Sequence, residues 1–368
     1  MQRKRRYGRT PLGKIKLYLK ILAIQVACCL IFFGSIEFLI FCFWTAPPEK
    51  STVLSNPLDP GNHKVNFPAS IDDLSWSVQL NLSDNFFVRP DDKYLFRVTP
   101  NRLGLPVHGY TGINSLGFRG PEFDLSAVAP DTKKIMVLGD SCTFGWGLPD
   151  HTKIWPQMLE NYLNSSGYKT KVFNLAQPGF SSYQGRVLFD EWFSRIKPKA
   201  LILFFGWNDI WETPLLNDRQ SLTLLKLMRI PFIKWVKTTY TFKFLKNKLV
   251  GDKQNREALP VGESKRRVSR EATIENLKYM IKVAAKAGAS SVVILPQYAA
   301  LRWNLAMPLP DTKFMAERLF GQAIIPELKE MKPGRPDWEK YFLTDGFHPT
   351  YFGSAYIAQE IAKTEFLK

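Results

Sequence analysis

Cysteine, histidine and, toward the N-terminus, acidic residues are what this 368-residue chain has least of. Its four cysteines are Cys28, Cys29, Cys42 and Cys142, three of them within one apolar run. That excludes a disulfide framework inside the body, and no CxxC or zinc spacing occurs. The four histidines are His63, His108, His151 and His348, so general bases are scarce. A phosphate-cradling GxxxxGK[ST] is missing, because no lysine stands at the required place after Gly139. The dinucleotide fingerprint GxGxxG is missing as well. There is no internal repeat and no low-complexity tract.

No acid precedes Glu37, whereas Arg3, Lys4, Arg5, Arg6, Arg9, Lys14, Lys16 and Lys20 do, so the first twenty residues carry +8. Residues 217–270 hold fourteen Lys/Arg against four Asp/Glu. These two segments account for the whole net charge of +17, and the remainder is close to neutral. Charge confined in this way argues against a general nucleic-acid binder. The apolar and aromatic content is that of a globular protein with a substantial core.

Ile21 to Trp44 is a 24-residue run interrupted only by Gln25, Gly34, Ser35 and Glu37. About 20 apolar residues suffice to span a bilayer, and a secretory h-region is shorter. The expectation is an uncleaved signal anchor over 21–44, with the basic tail 1–20 in the cytoplasm and the body outside. Trp44 then sits at the outer interface. Glu37 is unusual there; it is read as a snorkelling or protonated side chain in preference to a partner contact within the membrane. Residues 45–70, rich in Pro, Ser and Asn, suit a linker. Residues 71–133 read as loops and short strands laid over a core, an N-terminal decoration of a domain spanning 71–368.

From Lys134 strand and helix patterns alternate. Strands are expected at Ile135–Leu138, Val172–Leu175, Leu201–Phe205 and Val292–Leu295, with a weaker one at Tyr341–Leu343. Helices are expected at Trp155–Leu163, Tyr183–Ile196 and Ala272–Ala287. This order predicts an α/β fold whose parallel sheet is covered on both faces. Residues 217–270 interrupt it as a basic insertion. Within 222–250, Phe232, Trp235, Phe242 and Phe244 interleave with lysines, and Pro231 is expected to split the stretch into two short helices. Contact of 222–250 with anionic lipid headgroups is one reading, packing of its apolar face on the domain the other.

Loops at the carboxyl ends of parallel strands converge on one crevice. The first such loop carries Gly139-Asp140-Ser141, the second Gly179, the third Asn208-Asp209, and near the C-terminus Asp345 and His348 stand three residues apart. A serine hydroxyl needs a base, here His348, and a histidine needs a group such as Asp345 to hold its tautomer. The amides of Ser141 and Gly179 and the side chain of Asn208 would supply an oxyanion with three donors. Asp140 and Asp209 raise a metal or paired-carboxylate alternative, although a loop-bracing role for Asp140 is preferred. Cys142 is a conceivable thiol nucleophile, with buried packing preferred. His63, His108 and His151 have no comparable context.

Singly these signals are weak; their order is not. The sequence resembles the SGNH (GDSL) hydrolase superfamily, in its membrane-anchored bacterial form. Ser141 matches its nucleophile in GDSCTFGWG, Gly179 and Asn208 its oxyanion donors, and Asp345 and His348 its DxxH in DGFHPT. Ile113–Phe123 (INSLGFRGPEF) and Arg267–Leu277 (RVSREATIENL) also look like segments of such members. The resemblance implies a three-layer, flavodoxin-like α/β/α sheet preceded by one transmembrane helix. It also implies ester hydrolysis by a Ser-His-Asp triad through an acyl-enzyme, without cofactor or metal. Placement outside the bacterial inner membrane, facing the periplasm or exterior, suggests O-acetyl groups of envelope glycans or lipid esters as substrates. An O-acyltransferase of the same fold, or a non-catalytic SGNH-fold binding protein, are the alternatives.

Overall fold

The strands that organise the chain are short and apolar on both sides, so each must be buried on both faces. In the computed structural model they are β1 (Lys133–Gly139), β2 (Thr170–Asn174), β3 (Ala200–Phe204) and β4 (Ser290–Val293). The structure describes residues 11–43, 52–55, 64–67, 79–80, 88–91, 93–100, 110–213, 216–228, 230–250, 265–296, 312–332 and 337–367. The four strands form one wholly parallel sheet in the order β4-β3-β1-β2. Its register pairs Ile135 with both Val172 and Ala200, and Leu201 with Ser291.

The period of two along each strand sorts side chains between two cores. Met136, Leu138, Leu201, Leu203 and Val293 pack with Leu188, Phe189 and Ile196 of α3 (Ser182–Ile196) and with Leu277, Met280 and Ala284 of α5 (Arg270–Lys286). Ile135, Val137, Ile202, Phe204 and Val292 pack with Trp155 and Leu159 of α2 (Trp155–Ser165) and with Ile357 and Ile361 of α6 (Tyr351–Lys363). The result is three layers, helices on either side of the sheet. Each fully buried aliphatic chain contributes roughly 1.5–3 kcal/mol.

The weak strand expected at Tyr341–Leu343 does not join the sheet. Trp338–Tyr341 is a 3₁₀ turn, and Phe342 instead bridges antiparallel to Pro349. Phe342 is apolar because it is buried against the helical layer, which sequence alone cannot separate from a sheet position. In the stretch expected to be a linker, Thr52–Ser55 and Lys64–Phe67 pair antiparallel, and Gln79–Leu80 adds to the second. Part of the expected decoration is fastened to the core: Tyr94, Phe96, Ile113 and Phe118 are buried in it.

The chain divides into two units, 1–49 with 227–259, and the rest. In the smaller unit a helix runs without a break from Pro11 to Phe43, and Pro231–Thr238 and Tyr240–Val250 are two short helices. Asp218–Met228 (α4) begins in the larger unit. The insertion is thus broken at Pro231, as expected, and again at the extended Thr239. Glu37 has a use inside the chain, accepting from the amide of Tyr240 and from N and Oγ1 of Thr241, the last two at 2.7 Å. It satisfies orphan donors at the start of Tyr240–Val250, a role neither expectation for Glu37 included. Among the described residues no helix is long and apolar enough to cross a membrane. The span expected at Ile21–Trp44 includes side chains outside the described residues.

Candidate active site

β1 and β3 are neighbours, yet the chain visits β2 between them, so the strand order reverses at this pair and a crevice opens at their carboxyl ends. Ser141 stands there, the first residue of the short helix α1 (Ser141–Phe144). Asp140 caps it in an extended conformation, accepting from the amide of Cys142 at 2.9 Å. The turn from strand to helix is so tight that a Cβ on Gly139 would lie 2.1 Å from Thr143 Oγ1. Cys142, Thr143 and Phe144 are buried, while Ser141 is half-exposed.

His348 arrives on a closed loop. Leu343 N donates to His348 O at 2.8 Å and Thr350 N to Tyr341 O at 2.9 Å, which clamps the Asp345–His348 segment. Oδ1 of Asp345 accepts the amides of Phe347 and His348 at 3.1 and 3.0 Å, leaving Oδ2 for His348 Nδ1 at 2.7 Å. His348 Nε2 lies 2.8 Å from Ser141 Oγ. Burial works to raise the Asp345 pKa, but the His348 hydrogen bond and charge and the two amides outweigh it and hold the carboxyl below its usual range. An ionised Asp345 accepts a hydrogen bond from Nδ1–H, so the lone pair of His348 is on Nε2, facing the serine. Trp146 and Phe347 flank the imidazole, with ring centroids 6.4 and 4.3 Å away.

Gly179 occupies the third position of a tight turn, Gln177-Pro178-Gly179-Phe180, closed by Phe180 N donating to Gln177 O at 3.2 Å. Its φ of 77° is what such a turn requires after proline. A Cβ there would meet the Phe96 ring at 3.3 Å. The turn is tied to β1, because Gln177 N donates to Gly139 O at 3.1 Å. Asn208 gives one side-chain N–H to Asp140 Oδ2 at 3.3 Å, and its NH₂ carries a second.

Burial is the main cause that pushes Asp140 up to about 7, with the charge of Asp209 adding to it. Asp209 is buried and also raised, first by burial; it accepts from Ser182 N and Oγ and from Thr273 Oγ1. The two carboxyl groups thus tie neighbouring loops together, and among the described residues no group of three His, Cys, Asp or Glu could hold a metal. Cys142 is buried, its thiol pushed well up by burial, and its sulfur lies 3.6 Å from Phe347 O, facing protein rather than the crevice. His151 pairs with Thr111 Oγ1 at 2.9 Å, away from this loop set, and His63 and His108 lie outside the described residues.

Two supports were not foreseen. Arg119 is fully buried and donates to the carbonyls of Thr111, Gly145, Leu148 and Pro149, holding the loop that follows α1. Burial pulls its pKa down to about 10. Gln177 accepts from Val98 N at 2.7 Å and donates to Gly117 O at 2.8 Å, fastening the Gly179 turn to the N-terminal segment. The only sequence signal was that Ile113–Phe123 resembles a segment of related proteins; nothing marked Arg119 as buried.

The model of a family described as the GDSL-like Lipase/Acylhydrolase family matches residues 137–356. An arylesterase of Vibrio mimicus is 30% identical over 87 residues, which is 24% of this chain and 43% of the relative. The chain thus spans less than half the length of that curated relative. Among solved structures it is similar to TesA, at 16% identity and a TM-score of 0.38, with 62% of this chain and 96% of that one covered. It is also similar to the lipase/acylhydrolase from Enterococcus faecalis, at 16% identity and a TM-score of 0.41, covering 63% and 94%.

Proposed function

Since that match spans more than half of its residues, the chain belongs to the GDSL-like lipase/acylhydrolase family, and on this premise we propose that it is a serine esterase acting on carboxylic esters. The observation that carries the reading is the hydrogen-bonded line Ser141–His348–Asp345, at 2.8 and 2.7 Å. His348 Nε2 takes the proton of Ser141 Oγ as the oxygen attacks the ester carbonyl. The carbonyl oxygen becomes an oxyanion, met by the amides of Ser141 and Gly179 and the second N–H of Asn208. Collapse expels the alcohol, which leaves with the proton from His348, and the acyl group stays on Ser141. Water, deprotonated by His348, then attacks the acyl-enzyme; its collapse releases the acid and returns the proton to Ser141.

Fluorophosphonate labelling of the full chain, with Ser141→Ala as control, tests this. Label on the wild type alone is expected; equal labelling of both would refute the nucleophile. The acceptor separates an esterase from an O-acyltransferase, and following acyl release with and without a glycan acceptor distinguishes them.

The enzyme is further proposed to be held at a membrane by Ile21–Trp44, with its domain extracytoplasmic, where esters of envelope glycans or lipids are the substrates. Supporting this are the length of the run, the +8 tail and the exposure of Leu30, Ile31, Phe32, Phe33 and Phe38 on the Pro11–Phe43 helix. The insertion would lie on anionic lipid, since Phe232 and Trp235 are exposed and residues 219–251 hold eight Lys/Arg and no acid. Loss of membrane fractionation on deleting residues 1–44 is expected; unchanged fractionation would count against the anchor.

A further inference from the structure

Asp218 and Arg267 stand near the two ends of the insertion, and both are buried, at 0% and 7% exposure. A guanidinium in such a place must have its charge and its donors met. Nε and Nη2 of Arg267 fork onto Asp218 at 3.1 and 2.9 Å. The same side chain reaches the loop after β2, where Nη1 donates to Gly179 O at 2.9 Å and Nη2 to Gln184 Oε1 at 2.7 Å. Gln184 completes the capping box of α3 with Ser181, and Ser181 Oγ donates to Asp218 at 2.6 Å. One planar group therefore joins the Gly179 turn, the start of α3 and the start of α4.

We infer that Arg267 is a positioning residue for the oxyanion hole, a role that rests on the reading of Gly179 N–H as an oxyanion donor. The direction of that N–H is set by the torsions of Gly179, a residue without a Cβ to resist rotation. On its N-terminal side Gln177 is anchored to Gly139, Val98 and Gly117. On its C-terminal side the carbonyl is held by Arg267. Held at both ends, the residue keeps its amide aimed before substrate arrives, which is the condition for an oxyanion donor to contribute fully. A lysine could pair with Asp218, but a single ammonium cannot serve three acceptors in one plane.

Arg267→Ala would leave Asp218 buried and unpaired, so the informative variant is Arg267→Lys in the full chain, with turnover expressed per serine titrated by fluorophosphonate. We expect per-site turnover to fall about tenfold or more, KM to stay within about twofold and the pH profile to keep its position. Combined with Asn208→Ala, the loss should be smaller than the product of the two single losses, since both act on one oxyanion. Per-site turnover within twofold of wild type would overturn the role, as would a loss that vanishes once rates are normalised to titrated sites. A wild type that takes no label at Ser141 overturns the esterase reading and this inference with it; a labelled wild type with unimpaired Arg267→Lys overturns the inference alone.

Discussion

Asp345→Asn is the sharpest probe of the base, because the surroundings of Asp345 dictate how an asparagine must sit. Oδ1 of Asp345 accepts two backbone amides, from Phe347 and His348 at 3.1 and 3.0 Å. An asparagine placed with its NH₂ toward them would face two buried donors with a third and cost about 1–3 kcal/mol for each group left unmatched. It will therefore keep its carbonyl on the amides and turn its NH₂ toward His348 Nδ1, now at 2.7 Å from Oδ2. That forces Nδ1 to accept and puts the imidazole proton on Nε2, aimed at Ser141 Oγ, so His348 can no longer take the serine proton. The carboxylate's stabilisation of the imidazolium is lost as well. The expected fall in kcat is about 10³–10⁴, or roughly 4–5.5 kcal/mol of barrier. Steady-state hydrolysis of p-nitrophenyl acetate measures it, with thermal unfolding to confirm that the fold persists. A folded variant within tenfold of wild type would refute the proposed tautomer argument and the orienting role of Asp345.

Two further outcomes follow from the same loops. Gly179→Ala puts a side chain at φ 77°, a strain of about 1–2 kcal/mol, and its Cβ meets Phe96 at 3.3 Å; kcat should fall about tenfold with little change in KM, and unaltered kinetics would show that the turn need not hold its present path. Asp140, pushed up to about 7 chiefly by burial, binds a proton in the folded protein that the unfolded chain has released. Its contribution to stability is therefore full below the ordinary carboxylate pKa and is lost as pH rises from about 4 to about 7, at about 1.4 kcal/mol per unit. The depressed Asp345 has the opposite sign, but acts only below the ordinary carboxylate range. The Tm of wild type relative to Asp140→Asn should thus be higher at pH 5 than at pH 8, and a pH-independent difference would contradict it.

The sheet was legible because its strands are buried on both faces and so read as short unbroken apolar runs; Ile135–Leu138 needed no context. The site was legible wherever chemistry demands a residue type directly after a strand, as with Ser141 and Asn208, or at fixed local spacing, as with Asp345 and His348. What escaped was of two kinds. Phe342 looked like a strand residue because burial, not sheet pairing, makes it apolar. Arg119, Gln177 and Arg267 were invisible because a buried polar side chain is defined by partners far away in the chain, such as Val98 for Gln177. The partners of Glu37 escaped for the same reason, its donors lying some 203 residues downstream.

The buried carboxylates divide the site into two mechanical parts. Asp140 on the first loop holds Asn208 of the third; Asp209 on the third holds Ser182 at the end of the second; Asp218 holds Ser181 and Arg267. Ser141, Gly179 and Asn208 are thereby braced as one body. The loop bearing Asp345 and His348 is closed on itself through Leu343–His348 and Tyr341–Thr350, and meets that body at Ser141 Oγ, at Cys142 Sγ and where Phe347 packs on Trp207. Losses from changing the bracing residues should therefore appear in transition-state stabilisation, with the ionisation of the base left in place. Changes within the hairpin should instead alter proton transfer while the oxyanion donors keep their aim.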